Sequence, residues 1–284
     1  MIRLAVLFML APALIAQQRI ISTTPSITEI LFALGLGDRV VGVSTFCRYP
    51  EQARKLPKIG TFLDPHLETM LQLRPDLVIV QNNPVRLAER LQAVKLRVLE
   101  VNNESMEGVH RTIIEVAEAA GVPQKGRDLS ARIEADLRQM RERTAKLPKR
   151  RVVFIVGRTP ETLDGLIAAA KGSYLSELLE AAGGINIFHD AISAYPKIAH
   201  EELIARNPEV LIDMGDSTHR GESLSDAHKK ATLQLWKTRF PLLRAVKENQ
   251  VYPIADDRFV VPGPRMAEAV RLFATMLHPG VRWN

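Results

Sequence analysis

Residues 124–147, QKGRDLSARIEADLRQMRERTAKL, constrain the possible folds more than any other stretch of this chain. Apolar side chains recur at Leu129, Ile133, Leu137, Met140 and Leu147, close to a 3.6-residue beat, and charges fill the other faces. After Gly126 nothing opposes a helix until Pro148 stops it. Glu134 and Arg138 are spaced as an i,i+4 pair, worth a few tenths of a kcal/mol. At ~1.5 Å per residue the helix spans roughly 30 Å, the width of a small domain. Alternating strand and helix patterns lie on both sides of it. It therefore reads either as a stiff spacer between two α/β lobes or as a helix laid along one domain.

A chain of 284 residues suits one large domain or two ordinary ones. The net charge of +6 is spread out, and its densest basic run, KLPKRR at residues 146–151, sits at a helix-to-strand junction. A nucleic-acid surface would cluster such charge with aromatics or on one helix face, so this run reads as solvated surface. Met1-Ile2-Arg3, the apolar residues 4–10 and the small residues 11–16 read as a signal peptide cleaved before Gln17 or Gln18. That apolar run is too short to span a bilayer, and no later stretch approaches the ~20 apolar residues required. A mature protein that is exported, soluble and monomeric is expected. Its only cysteine, Cys47, cannot form an internal disulfide and lies far from the cleavage region, so it is expected to be buried.

The residue pattern divides the chain into a signal peptide (1–16), an N-terminal α/β lobe (17–123), a linking helix (124–148) and a C-terminal α/β lobe (149–284). In the first lobe, strands are expected at 19–22, 40–44, 77–80 and 97–101. A helix begins at Ser26-Ile27-Thr28-Glu29, which has capping-box form, and another covers 109–120. In the second, strands are expected at 151–156, 210–213 and 251–254, helices at 174–182 and 266–277, and a polar loop at 215–227. Short β-branched runs between helices predict mostly parallel sheets covered on both faces, with ligands gathering at the carboxyl ends of the strands.

One internal echo links the halves. Setting Glu68 on Glu201 places Pro75 on Pro208 and Asp76 on Glu209, and the strand residues after them coincide. Each copy reads as a short helix, a proline-led turn and a buried strand, with a carboxylate at a matching place in each lobe.

In sum, Ser26-x-Thr28-Glu29, Gly42-Val43-Ser44 running to Tyr49-Pro50, Leu67-Glu68 followed by Arg74-Pro75-Asp76-Leu77-Val78, and Gly183-Gly184-Ile185-Asn186-Ile187-Phe188 stand in a fixed order. With the lobe–helix–lobe plan, this order resembles the periplasmic substrate-binding proteins of cobalamin, iron-siderophore and haem ABC importers, above all the cobalamin-binding branch. The resemblance implies two Rossmann-like lobes joined by one rigid helix, a ligand held between them, no cofactor, no catalysis and a permease partner in the membrane. It places permease docking on Glu68 and Glu201, and ligand contacts on Thr24, Pro25, Tyr49, Phe62, Gln81, Asn82, Tyr195, Asp257, Arg258 and Phe259. Gln81 and Arg258 stand where the cobalamin branch favours tryptophan, and Val261 where it favours arginine. These departures leave a corrinoid precursor, haem or a ferric siderophore open beside cobalamin. Arg158 and Arg258 are candidates for meeting an anionic ligand.

The residues alone leave two other classes to consider. A zinc or manganese binder would use inward-facing histidines, and His66 and His200 precede the two echoed helices, although no clustered metal motif occurs. An exported α/β hydrolase would need a Gly-x-Ser-x-Gly elbow, and none is present.

Overall fold

The computed structural model describes residues 18–82, 85–215 and 224–283. The segment read as a signal peptide therefore lies outside the described residues, as do Asn83 and most of the polar loop. Strands β1 (Ile20–Ser22), β2 (Val40–Val43), β3 (Leu77–Gln81) and β4 (Val98–Val101) form a parallel sheet in the order β2-β1-β3-β4. In the second half β5 (Arg150–Gly157) pairs in parallel with β8 (Val210–Asp213), which pairs with β9 (Val251–Pro253). The other edge of β5 is shared. The short β6 (Ile167–Ala168) runs antiparallel along its end, and β7 (Gly184–Asn186) runs parallel along its start.

Eleven helices are described: α1 (Pro25–Ala33), α2 (Glu51–Arg54), α3 (Leu67–Gln72), α4 (Leu87–Ala93), α5 (Met106–Ala119), α6 (Pro123–Thr144), α7 (Tyr174–Ala181), α8 (His200–Arg206), α9 (Asp226–Arg239), α10 (Arg244–Lys247) and α11 (Met266–Leu277). Strand alternation sorts the apolar residues. Ile21, Val78 and Val80 pack outward against Met70, Leu87 and Leu91. Ile20 and Ile79 face the other way, into a core that runs through Ile113 and the buried stripe of α6 to Phe154, Phe273 and Leu277 of the second half. On the far face of the second sheet, Val153, Ile155 and Leu211 pack against Trp236 and Phe240.

The long helix α6 thus joins the two sheets and packs between α5 on one side and α11 on the other. Its limits differ from the sequence reading. Pro123 opens it, where the missing amide proton costs nothing. It ends at Thr144, four residues before Pro148. Leu129, Ile133, Leu137 and Met140 are its buried stripe as expected, but Thr144 closes the stripe and Leu147 falls outside the helix. Gly126 is where α5 comes nearest, since a Cβ there would lie 2.5 Å from Ala117 Cβ. Glu134 reaches Arg141 and His110, each at 3.4 Å, instead of the expected Arg138.

Other expectations are corrected locally. The capping box at Ser26 does not form: α1 begins at Pro25 with Thr24 before it and no side-chain cap, and Glu29 is drawn into an ion pair with Arg265. The expected polar loop gives way at Asp226 to α9, whose first turn is capped by Ser225 accepting from the His228 amide at 3.2 Å. The pairing of β6 and β7 with β5 leaves no signal in the sequence, because each strand is too short to show a period.

The internal echo is structural. Under the offset that sets Glu68 on Glu201, Arg74 and Asn207 share left-handed backbone, with φ of 46° and 41°. The Asp76 carboxylate accepts from the Arg19 amide at 2.7 Å, and the Glu209 carboxylate accepts from the Arg151 amide at 3.1 Å. Arg19 also donates to the Leu73 carbonyl, as Arg151 does to that of Arg206. Phe62 and Tyr195, Met70 and Leu203, and β3 and β8 correspond in the same way.

Cys47 is 1 % exposed, with Thr28 Oγ1 donating to Sγ at 3.1 Å and Sγ and Ser44 Oγ hydrogen-bonded at 3.4 Å. Burial pushes its thiol pKa up. Burial likewise lowers the pKa of His110, against the pull of Glu134, and that of His278, assisted by the positive charge of Arg150. The unfolded chain therefore takes up protons at these histidines, from about pH 6.5 downward, before the folded chain does. Stability from this source is present above that pH and is lost as pH falls through the folded values. Thermal melting between pH 7.5 and 5 is expected to show a falling midpoint, with a smaller fall in His110→Gln/His278→Gln. An equal fall in the variant would contradict it.

Candidate ligand cleft

The carboxyl ends of β1, β2, β3 and β5 open onto one cavity of about 790 Å³. Its first wall is Thr23, Thr24, Pro25 and Ser26 at the turn into α1, Ser44 and Phe46 after β2, Phe62, and Gln81 at the end of β3. The facing wall is Val156, the start of α7 at Ser173 and Tyr174, and Tyr195 with Val260 to Pro262. Thr24 Oγ1 and Ser26 Oγ lie 3.0 Å apart, and Ser22 Oγ bonds Thr28 Oγ1 at 2.7 Å beneath them, so the floor is a fixed array of hydroxyls. Phe46 and Tyr195 are half exposed at the rim, 53 % and 48 %. Burial, and then the Glu104 carboxylate, raise the Tyr195 pKa, which keeps its phenol neutral. Among the described residues lining this cavity there is no lysine, arginine or histidine, and Glu104 is the one charged side chain.

The candidate ligand residues are not all brought together. Thr24, Pro25, Phe62, Gln81 and Tyr195 line this cleft. Asn82 is exposed just beyond Gln81 and does not line it. Tyr49, Asp257, Arg258 and Phe259 line a second cavity of about 460 Å³, together with Arg48, Arg54, Lys229 and Arg265. There the Tyr49 ring lies 4.0 Å below the Arg265 guanidinium, and the Phe259 ring is buried against Phe273 with centroids 4.6 Å apart. Arg258 is held by Asp256 at 2.5 Å and Glu268 at 3.7 Å. Burial works against ionisation of Asp256, but Arg258 outweighs it and holds the carboxyl below its ordinary range.

Arg158 does not face the cleft as an anion-binding residue. Its guanidinium is buried and bonded to Asp213 at 3.1 Å, and Asp213 also accepts from Trp236 Nε1 at 2.7 Å and the Gly215 amide at 2.8 Å. Asn186 of the Gly-Gly-Ile-Asn motif is structural as well. Its Nδ2 donates to the Ala169 carbonyl and to Ser176 Oγ, both at 3.0 Å. Phe46, Glu104, Ser173 and Tyr174 line the cleft but are not among the ligand contacts that the resemblance implies, although Phe46 lies just after the end of β2. The strand-end rule would have found Glu104 if applied to β4, whereas the start of α7 enters only through packing of the second lobe.

The two halves are tied at the base of the cleft. Arg265 grips the Glu29 carboxylate with Nε at 2.8 Å and a terminal nitrogen at 2.5 Å. Burial raises the Glu29 pKa, and the Arg265 contact opposes that rise. Asn103 Nδ2 donates to the Pro262 carbonyl at 3.0 Å, and the Met106 amide donates to Glu177 Oε2 at 2.6 Å.

Glu68 and Glu201 are exposed in the first turns of α3 and α8. His200 Nε2 lies 2.6 Å from the Leu163 carbonyl, and neither His66 nor His200 lines the cleft. Among the described residues no group of three or more His, Cys, Asp or Glu side chains is placed to hold a metal ion.

The family model for periplasmic binding proteins matches residues 20–257. The vitamin B12-binding protein of Vibrio cholerae serotype O1 is 28% identical over 274 residues, covering 94% of this chain and 93% of that protein. YvrC of Bacillus subtilis, an uncharacterised ABC transporter substrate-binding lipoprotein, is 28% identical over 270 residues, covering 92% and 80%. The solved structure of the periplasmic haem-binding protein RhuT from Roseiflexus sp. RS-1, in apo form, superposes with a TM-score of 0.75 at 27% identity, covering 92% of this chain and 100% of that one. A two-lobed α/β chain with an open cleft at the strand ends, matched by the family model over residues 20–257, belongs to the periplasmic binding protein family.

Proposed function

We propose that the chain captures a corrinoid, cobalamin or a precursor of it, between its lobes and delivers it to an ABC importer permease. The supporting observation is the charge of the cleft. A volume of about 790 Å³ is near the top of the usual range for small-molecule sites, roughly 300–1,000 Å³, and suits a macrocycle. Haem carries two propionates and catecholate siderophores are polyanions. Sinking such groups among Glu104, hydroxyls and aromatics, with no cation among the described lining residues to meet them, is unfavourable. A corrin ring presents amides around its edge, which hydroxyls and Gln81 can bond, and an apolar face, which Phe46, Phe62 and Tyr195 can cover. Export through residues 1–16 and a soluble mature monomer belong to the same reading. The no-cofactor expectation agrees with the family, whose members bind a transported ligand.

Titration of the mature protein by absorbance and calorimetry with cyanocobalamin, dicyanocobinamide, haemin, ferrichrome and ferric enterobactin tests the ligand class. Both corrinoids are expected to bind about tenfold or more tighter than the other three. Tighter binding of haemin or a siderophore would overturn the reading. Glu68 and Glu201 are proposed to dock the permease. Two separated carboxylates on one rigid body set orientation and steer encounter. Glu68→Gln/Glu201→Gln should leave corrinoid affinity unchanged and lower uptake in reconstituted vesicles. A loss of corrinoid affinity would remove that role.

A further inference from the structure

The matched modules of the two lobes repeat more than a carboxylate. Starting from Phe62 and Tyr195 at the cleft, each copy runs through an acidic first turn, a buried anchor, an exposed apolar residue and a left-handed residue before proline. Met70 and Leu203 are the anchors, both fully buried. The next residues, Leu71 and Ile204, are turned out to solvent, 41 % and 56 % exposed. A single exposed leucine needs no explanation. Here, however, the same corresponding position of two helices, otherwise different in sequence, is apolar and uncovered in both lobes. At i+3 from Glu68 and Glu201 each shares a helix face with its carboxylate. Both helices start at the end of the molecule where the cleft opens.

We propose that Leu71 and Ile204 are apolar anchors of the docking surface. On this reading, each lobe offers a carboxylate beside an aliphatic side chain to a partner with two like sites, each a cation next to an apolar hollow. The partner is the membrane permease, so this inference rests on the docking role given to Glu68 and Glu201. The division of labour follows from physics: exposed carboxylates act at range and weaken with salt, whereas buried aliphatic contact holds the complex and does not.

The test uses the mature full chain and, in nanodiscs, the importer whose ATP-driven uptake of cyanocobalamin in proteoliposomes requires this protein. Leu71→Ser and Ile204→Ser are compared with Glu68→Gln, Glu201→Gln and the control Ile185→Ser. Ile185 is 39 % exposed but pairs with the start of β5, at the opposite end of the sheet. Each serine variant at the docking face is expected to weaken importer binding about tenfold, and the double variant about a hundredfold. Their salt dependence and cyanocobalamin titration should match the parent, while the glutamine variants should flatten the salt dependence. If the serine variants bind within twofold of the parent while the glutamine variants bind weakly, the apolar anchors are refuted and carboxylate docking stands. If all four bind as the parent does, docking on this face fails altogether. A loss in Ile185→Ser equal to that in Leu71→Ser would also overturn the anchors.

Discussion

Asp213→Ala is expected to lower the unfolding free energy by about 3–5 kcal/mol, the range for removing one partner of a buried ion pair. Asp213 is the acceptor for three donors at once, the Arg158 guanidinium, Trp236 Nε1 and the Gly215 amide. Without it Arg158 keeps only backbone carbonyl contacts, with Thr162 at 3.1 Å, and its charge stays buried. Both side chains are 2 % exposed or less, so bulk solvent does not screen the charge left behind. For a chain of this size the loss corresponds to a fall in melting temperature of roughly 6–20 °C. Arg158→Met/Asp213→Asn should lose less, since it removes the charge and keeps an acceptor for Trp236. Urea titrations of both variants check this, and a cost below about 1 kcal/mol for Asp213→Ala would show the pair to be dispensable.

Removing Phe62 and Tyr195 together is expected to have the largest effect on ligand. Phe62→Ala and Tyr195→Ala should each weaken cyanocobalamin by ~1–3 kcal/mol, as for loss of an aromatic stacking partner. They lie on facing walls, one per lobe, so together they should cost about 2–6 kcal/mol if they act independently. Tyr49→Ala is the informative contrast. Its ring is taken up by Arg265 and lines the other cavity, so its replacement should leave cyanocobalamin affinity nearly unchanged while weakening the tie between lobes. Calorimetry on the three variants separates these outcomes, and a large loss in Tyr49→Ala alone would move the ligand to the second cavity.

Much of this architecture was legible in the residues. The β-branched runs at β1, β3 and β8 and the stripe of α6 are strong periodic signals, and α11 was read to the residue. The echo between Glu68 and Glu201 survived as matched hydrogen bonds, because a proline turn and a carboxylate on the next backbone are local chemistry. What failed was non-local. Glu29 has the spacing of a capping-box residue, and only the chain end brings Arg265 to it. Arg158 looks like an anion-binding residue at a strand end until Trp236 and Asp213 close over it. Tyr49 and Tyr195 were equivalent in sequence terms, and the packing of residues 253–265 sends them to different cavities.

The buried sulfur of Cys47 gives the molecule an internal gauge. It lies between Thr28 and Ser44, directly under the hydroxyl floor, and is the only thiol in the chain. A disulfide reagent can reach it only when the packing around it opens, so the rate of its modification counts those excursions. A guest seated on Thr24 and Ser44 would hold that door shut, and the slowing of a single chemical reaction would report occupancy without any label.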